Sequence, residues 1–109
     1  MSDWDVGFER SEQAGRPVLA VTGEIDLAVA PRFAQELESL VGGAGGTGIV
    51  DLSGVAFIDS SGIRELLEAQ RAARAAGGEL LLANPSPPCR HVLEISGVWS
   101  QFTVQEAPS

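Results

Sequence analysis

The sequence contains no lysine, and cysteine and histidine each occur once among its 109 residues. The lack of lysine excludes Schiff-base chemistry, the Walker lysine of nucleotide-binding loops and the lysine of a receiver-type phosphorylation pocket. A single cysteine excludes an internal disulfide, and a single histidine with scattered acids does not make a tetrahedral metal site. We therefore expect neither a metal nor a cofactor.

Basic charge is scarce and long apolar runs are missing. Seven arginines face fifteen acidic residues, which gives a formal net charge of −8. Nucleic-acid binding requires a basic surface, so a nucleic-acid partner is not expected. The apolar run at 80–83 is far shorter than the roughly 20 residues of a membrane-spanning helix, and residues 1–5 are acidic, unlike a signal peptide. We expect a cytoplasmic protein without a membrane partner.

The length predicts one domain over residues 1–109, with a core at about 5–104 and a short loose C-terminal tail. Short buried runs alternate with stretches of helical period along the chain. Helices are predicted at 30–41, 60–76 and 87–96, and strands at 5–9, 18–21, 49–52, 80–83 and within 99–104. This alternation predicts an α/β fold, with one central mixed sheet of four to five strands and flanking helices.

Apolar side chains on the inner faces of these elements should form the core. They are Phe33, Leu37, Ile49, Val50, Leu66, Leu67, Leu81 and Leu93, and Leu67→Ala should cost about 2–5 kcal/mol. Residues 53–59 are predicted to be a loop. Residues 43–48 match the letters of a dinucleotide fingerprint but follow a helix and precede a strand, so we interpret them as a connector.

Two loops leave the carboxyl ends of neighbouring strands, and the second leads into a helix at Asp59-Ser60-Ser61-Gly62. Asp and Ser are favoured N-caps and Gly62 permits a tight turn, which gives this segment a purely structural interpretation. A hydroxyl at a helix N-terminus is also a suitable phosphate acceptor, because helix N–H groups and the helix dipole tolerate an added anion. Both interpretations remain open on the residues alone.

The first of these loops carries Glu24 and Asp26, which we expect to flank Ser60 at the same sheet edge. Asp26 could instead serve only as a turn or cap residue. A hydrolase that uses Ser60 or Ser61 with His91 is a further hypothesis, but it lacks a defined orienting acid.

Four segments in order, at 21–26, 49–63, 77–80 and 93–98, resemble the STAS domain. More narrowly, they resemble the free-standing bacterial anti-sigma-factor antagonists. The resemblance covers roughly residues 18–104, and its specific part is the Asp59-Ser60-Ser61-Gly62 block after Phe57 and Ile58. Composition and periodicity alone do not point to this family.

The resemblance implies a binding module rather than an enzyme, one that binds an anti-sigma serine kinase and thereby releases a sigma factor. The kinase would phosphorylate Ser60, and a serine phosphatase would reverse the modification. The partner-binding residues that the resemblance implies are Glu24, Asp26, Asp59, Ser60, Ser61, Gly62 and Arg64, although Arg64 replaces a small residue found in many members. The alternative is a non-phosphorylated STAS accessory subunit of a transporter or scaffold assembly.

Overall fold

A computed structural model describes residues 6–42 and 46–105 and contains one sheet with the strand order β1-β2-β3-β4-β5. The strands are β1 (Val6–Gln13), β2 (Arg16–Ile25), β3 (Gly48–Ile58), β4 (Leu80–Ala83) and β5 (Thr103–Gln105). β1 is antiparallel to β2, and all the other neighbouring strands are parallel. The predicted α/β class with a mixed sheet is confirmed.

Three α-helices connect the parallel strands at the predicted places. They are α1 (Ala30–Val41), α2 (Ser60–Ala75) and α3 (Pro87–Ile95), and a 3₁₀ turn at Trp99–Gln101 precedes β5. Each α-helix begins at the predicted residue, and the predictions for α2 and α3 end one residue too late. None of the helices in the described part of the chain has the length and apolar character needed to span a membrane.

The first strand is longer than predicted. Its second half carries no apolar pattern, so the sequence gives no sign that the strand continues. It continues to Gln13, which pairs with Arg16 across the hairpin, although β1 is exposed from Glu9 onwards. Ala14 and Gly15 form the turn with φ values of 53° and 82°. Two successive positive φ angles are typical of the tight turns whose twist matches a β-hairpin.

The predicted loop at 53–59 is wrong, because β3 continues through it to Ile58. The pairing of β2 with β3 shifts register twice, between Ala20 and Thr22 and again after Gly23, which breaks the alternation that identifies a strand. Position 54 requires glycine because β2 lies close to it and not because the chain turns there. An added Cβ would lie 2.6 Å from Thr22 Cγ2.

The main core lies between the helices and one face of the sheet. All the residues predicted to be buried are buried except Leu67, which packs against the core but is only half-buried. Leu66 points into the core, and the next residue is rotated by about 100° around the helix, which turns Leu67 towards the side. The predicted full burial of Leu67 is wrong, and we therefore expect Leu67→Ala to cost less than about 2–5 kcal/mol.

A buried amide fixes the second half of α2 to the sheet. Gln70 is 3% exposed. Its Nε2 donates to the Leu80 carbonyl at 3.1 Å, and its Oε1 accepts the Leu80 N–H at 2.8 Å. One turn later, Arg74 Nη2 donates to the Gln101 carbonyl at 3.1 Å. This half of the helix is thus bound by side chains to β4 and to the segment before β5.

Candidate functional site

The second and third strands end side by side, and this edge positions the candidate site. Ile25 at the end of β2 pairs with Ile58 at the end of β3. Beyond the last pair, the Asp59 N–H donates to the Ile25 carbonyl at 3.1 Å. The connection into α1 and the start of α2 therefore leave the sheet at one edge, as parallel strands require.

The first turn of α2 is capped by Asp59. Asp59 Oδ1 accepts the N–H groups of Ser61 at 2.9 Å and Gly62 at 3.3 Å. Gly62 lies directly on the strand ends, since a Cβ there would be 2.7 Å from Ile58 Cγ1 and 2.8 Å from Ile25 Cγ2. The cap interpretation thus holds for Asp59. Ser60, in the first helical position, has an exposed side chain.

Asp26 has a local structural role before α1. Its Oδ1 accepts the Val29 N–H at 3.2 Å, and its carbonyl accepts the N–H groups of Val29 and Ala30 at 3.0 and 2.9 Å. Val29 provides no side-chain cap for α1, so Asp26 satisfies helix N–H groups from outside the helix. The predicted loop position of Glu24 is wrong, because β2 continues to Ile25. Glu24 is exposed on β2 and pairs in register with Phe57 of β3.

A groove of about 800 Å³ lies along α2, beside the beginning of α1. Leu27, Ile63 and Leu67 contribute apolar lining, and Ser60, Ser61 and Arg64 contribute polar lining. Leu27 is 72% exposed. Glu24, Asp26, Asp59 and Gly62 are not part of the lining, so the groove unites only Ser60, Ser61 and Arg64 of the predicted site residues.

The charges in the groove come from α2. Glu68 Oε2 binds Arg71 Nη1 at 3.1 Å. Arg64 is exposed and makes no hydrogen bond or ion pair with any residue in 6–42 or 46–105. Glu65 completes the charged lining, and the residues contributed from α1 and from the segment before it carry no charge. The groove therefore combines apolar lining residues with one guanidinium that no described residue neutralises.

The chain's cysteine and histidine lie elsewhere, on α3. Cys89 is buried, and burial raises its pKa to about 11, so the thiol stays protonated at neutral pH and is a poor nucleophile. His91 is exposed on the same helix, and neither residue lines the groove beside Ser60. Within the described ranges, no group of three or more His, Cys, Asp or Glu side chains could hold a metal ion.

Sequence reasoning missed the apolar residues of the groove. Leu27 lies in a loop, where no periodicity marks it, and the helical period places Leu67 in the core. Ile63 falls on the helical apolar face and is buried, yet it also lines the groove. The sequence signal that could have indicated this apolar lining is Leu27, an apolar residue directly after Asp26.

Comparison with protein families and curated proteins gives two findings. A family model described as "Mlab, STAS domain" matches residues 8–102. A protein of Lysinibacillus sphaericus named "Anti-sigma F factor antagonist" is 32% identical over 92 residues, which cover 82% of this chain and 79% of the relative.

Solved structures of SpoIIAA share the architecture. The anti-sigma factor antagonist SpoIIAA in its unphosphorylated form matches with a TM-score of 0.77 and 27% identity, covering 94% of this chain and 90% of that chain. The phosphorylated form, described as a Bacillus cell fate determinant, matches with a TM-score of 0.67 and 26% identity, covering 94% and 93%. The likeness extends along almost the whole of both chains.

Proposed function

Because this chain belongs to the STAS domain family, we propose that it is an anti-sigma factor antagonist switched off by phosphorylation of Ser60. In its unmodified form it binds an anti-sigma factor and releases the sigma factor held there. The name of the Lysinibacillus relative supports the antagonist function, and the existence of a phosphorylated form of SpoIIAA supports the switch.

The observation that carries the proposal is the availability of the Ser60 hydroxyl beside the groove. Asp59 performs the capping, so the fold does not require the Ser60 side chain. The hydroxyl lies exposed at the first position of α2 and lines the groove with Leu27 and Leu67. A kinase can reach it, and a partner that fills the groove covers it.

Phosphorylation would block the partner through charge rather than by unfolding. A phosphoserine carries about −1.5 to −2 charges at neutral pH. At position 60 this charge adjoins the Asp59 carboxylate and an apolar groove. A partner that packs over it would have to desolvate the charge, and burying a poorly compensated charge costs several kcal/mol, or a few powers of ten in affinity.

The proposed partners are an anti-sigma factor that is itself an ATP-dependent serine kinase and a serine phosphatase that restores the hydroxyl. This chain acts as a binding module and catalyses neither step. Ser61 and Arg64 would contact the kinase in the groove, Glu24 and Asp26 would provide an acidic flank at the sheet edge, and Asp59 and Gly62 would hold the α2 start in place. Because sigma factors act on RNA polymerase, the proposed action is cytoplasmic.

The test is affinity capture from the cells that produce the protein. Wild-type, Ser60→Ala and Ser60→Asp chains are used as bait, and mass spectrometry identifies the partner and the modified residue. Wild type and Ser60→Ala should retain the kinase, whereas Ser60→Asp should retain at least tenfold less. Aspartate carries about half the charge of phosphate, so full phosphorylation should have a larger effect.

Ser53→Asp is the matched control, because Ser53 is exposed on β3 outside the groove and the charge change is identical. It should retain the kinase. Phosphate on Ser61 alone, or tight kinase binding by protein fully phosphorylated at Ser60, would contradict the proposal. Capture of a transporter or scaffold complex by protein that carries no phosphate in cells would favour the accessory-subunit alternative.

A further inference from the structure

We propose that Arg64 binds the phosphate of phosphorylated Ser60 within the same chain. The inference rests on the proposed function, since it concerns the phosphorylated form of that site. It assigns Arg64 a role as a phosphate-positioning residue, and three observations about the first turns of α2 lead to it.

First, the helix start has little to offer an added anion. The N–H groups of Ser61 and Gly62 already donate to Asp59 Oδ1, and the Ile63 N–H donates to the Asp59 carbonyl at 3.1 Å. The sequence predicts that helix N–H groups compensate a phosphate at this position. The structure instead has these donors occupied and a carboxylate beside the modified residue.

Second, Arg64 lies one helical turn beyond Ser60 on the same face of α2. Residues four apart on a helix have Cβ atoms about 5–6 Å apart, and an anion four residues N-terminal to a cation is the favourable order. Both residues are exposed and both line the groove. The long guanidinium side chain can therefore reach phosphate oxygens on residue 60 and bind two of them at once.

Third, the other charges of the groove do not compete for this role. Arg71 is paired with Glu68 and lies about 16 Å further along the helix than Ser60. Arg64 has no ion pair with any described residue, and the α1 side of the groove contributes no charged group. Asp59 and Glu65 oppose the phosphate, which leaves Arg64 as the compensating cation within one turn.

The pair would give phosphorylation two effects on the groove. The modification adds negative charge at position 60, and it also occupies the guanidinium that is available to a carboxylate of a partner in the unmodified protein. A kinase surface that uses Arg64 would thus lose a favourable contact and gain an unfavourable one through a single covalent change.

The experiment titrates the phosphate by ³¹P nuclear magnetic resonance in the full chain. Phosphoserine is installed at position 60 during synthesis in wild-type, Arg64→Gln, Arg64→Lys and Arg74→Gln backgrounds. A nearby cation favours the dianion and lowers the phosphate pKa from its usual value near 6. We expect the pKa in wild type to be lower than in Arg64→Gln by about 0.3 units or more.

Arg64→Lys should show part of the wild-type lowering of the phosphate pKa, because the positive charge remains but the bidentate hydrogen bonding of the guanidinium is lost. Arg74→Gln is the matched control, since it removes the same charge from the same helix outside the groove, and its titration should match that of wild type. Circular dichroism checks that each variant is folded. Equal phosphate titrations in wild type and Arg64→Gln, or an equal shift in Arg74→Gln, would overturn the inference.

The proposed switch at Ser60 and the proposed Arg64–phosphate pair can be rejected independently of each other. The phosphate is installed during synthesis, so the titration does not depend on which residue a cellular kinase modifies. Affinity capture reports on Ser60 and the partner even if Arg64 leaves the phosphate untouched. An unshifted phosphate together with kinase capture would reject the pair and keep the switch.

Discussion

The two ends of α2 are held against the sheet in different ways. The second half is anchored by its own side chains, with Gln70 bound to Leu80 and Ala69 and Ala73 buried. The first turn is anchored through the backbone and its cap, by the Asp59 bonds and by the missing side chain of Gly62. Backbone anchoring leaves Ser60 and Arg64 exposed, so the start of α2 presents polar side chains to solvent while its second half is fixed by buried ones.

The largest expected effect comes from Leu66, where the anchored part of the helix begins. Leu66 is 0% exposed. Its replacement by Ala leaves a cavity and should lower the free energy of unfolding by about 2–5 kcal/mol. Leu67→Ala should cost about half as much, since that side chain is only half-buried beside the groove. Urea denaturation measures both, and equal losses would show that Leu67 belongs to the core after all.

Gln70 tests the anchored end directly. Gln70→Leu keeps the volume but leaves the Leu80 N–H and carbonyl without this partner in a buried place, which should cost about 2–3 kcal/mol. Gln35→Leu is the control, because Gln35 is exposed on α1 and should change stability by less than about 0.5 kcal/mol. Thermal and urea unfolding measure the difference. Equal stability of the two variants would mean that the amide does not fix α2 to β4.

Asp59 tests the backbone anchoring of the first turn of α2. Asp59→Ala removes the acceptor of two N–H groups and should cost about 1 kcal/mol, while Asp59→Asn should cost little because Asn is an equally good cap. Hydrogen exchange should become faster at Ser61 and Gly62 in the Ala variant. Unchanged exchange at these amides would show that the cap does not hold the first turn.

Ser60 and Arg64 should have the smallest effect on stability. Both side chains are exposed, so Ser60→Ala and Arg64→Gln should each change the free energy of unfolding by less than about 0.5 kcal/mol. Urea midpoints compared with Asp59→Ala are the measurement. A loss as large as that of Asp59→Ala would assign these residues to the fold and would break the contrast between the two ends of the helix.

The fold could be predicted from sequence wherever the hydrophobic period was regular. The helices follow from such periods, and α1 begins and ends where predicted. The second half of β3 could not be predicted, because two register shifts against β2 interrupt the alternation and Gly54 imitates a turn. The sequence does not distinguish a glycine that leaves room for a neighbouring strand from a glycine that is needed for a positive φ angle.

Part of the candidate site could be predicted from the sequence and part could not. The cap, the tight start at Gly62 and the exposed serine follow from local chemistry, and the family resemblance singles out the Asp59-Ser60-Ser61-Gly62 block. The groove could not be predicted, because Leu27 and Leu67 come together only through the packing of α1 beside α2. The occupation of the helix N–H groups by Asp59 was also beyond sequence reasoning, since Asp59 and the serines were all possible caps.

The close packing of Gly62 against Ile25 and Ile58 also limits which substitutions this segment can accept during evolution. A side chain at position 62 would meet Ile25 and Ile58, and position 59 needs a capping residue, so selection for folding should act at both positions whichever protein this chain binds. Mutations at Ser60 and Arg64 should cost the fold little, so under the proposed switch selection at these positions would come from the partner and the kinase alone. If the proposed switch operates, a duplicated copy that lost its regulation would keep Gly62 and a capping residue at position 59 while Ser60 changed, and an intact helix start would then indicate common ancestry rather than a working switch.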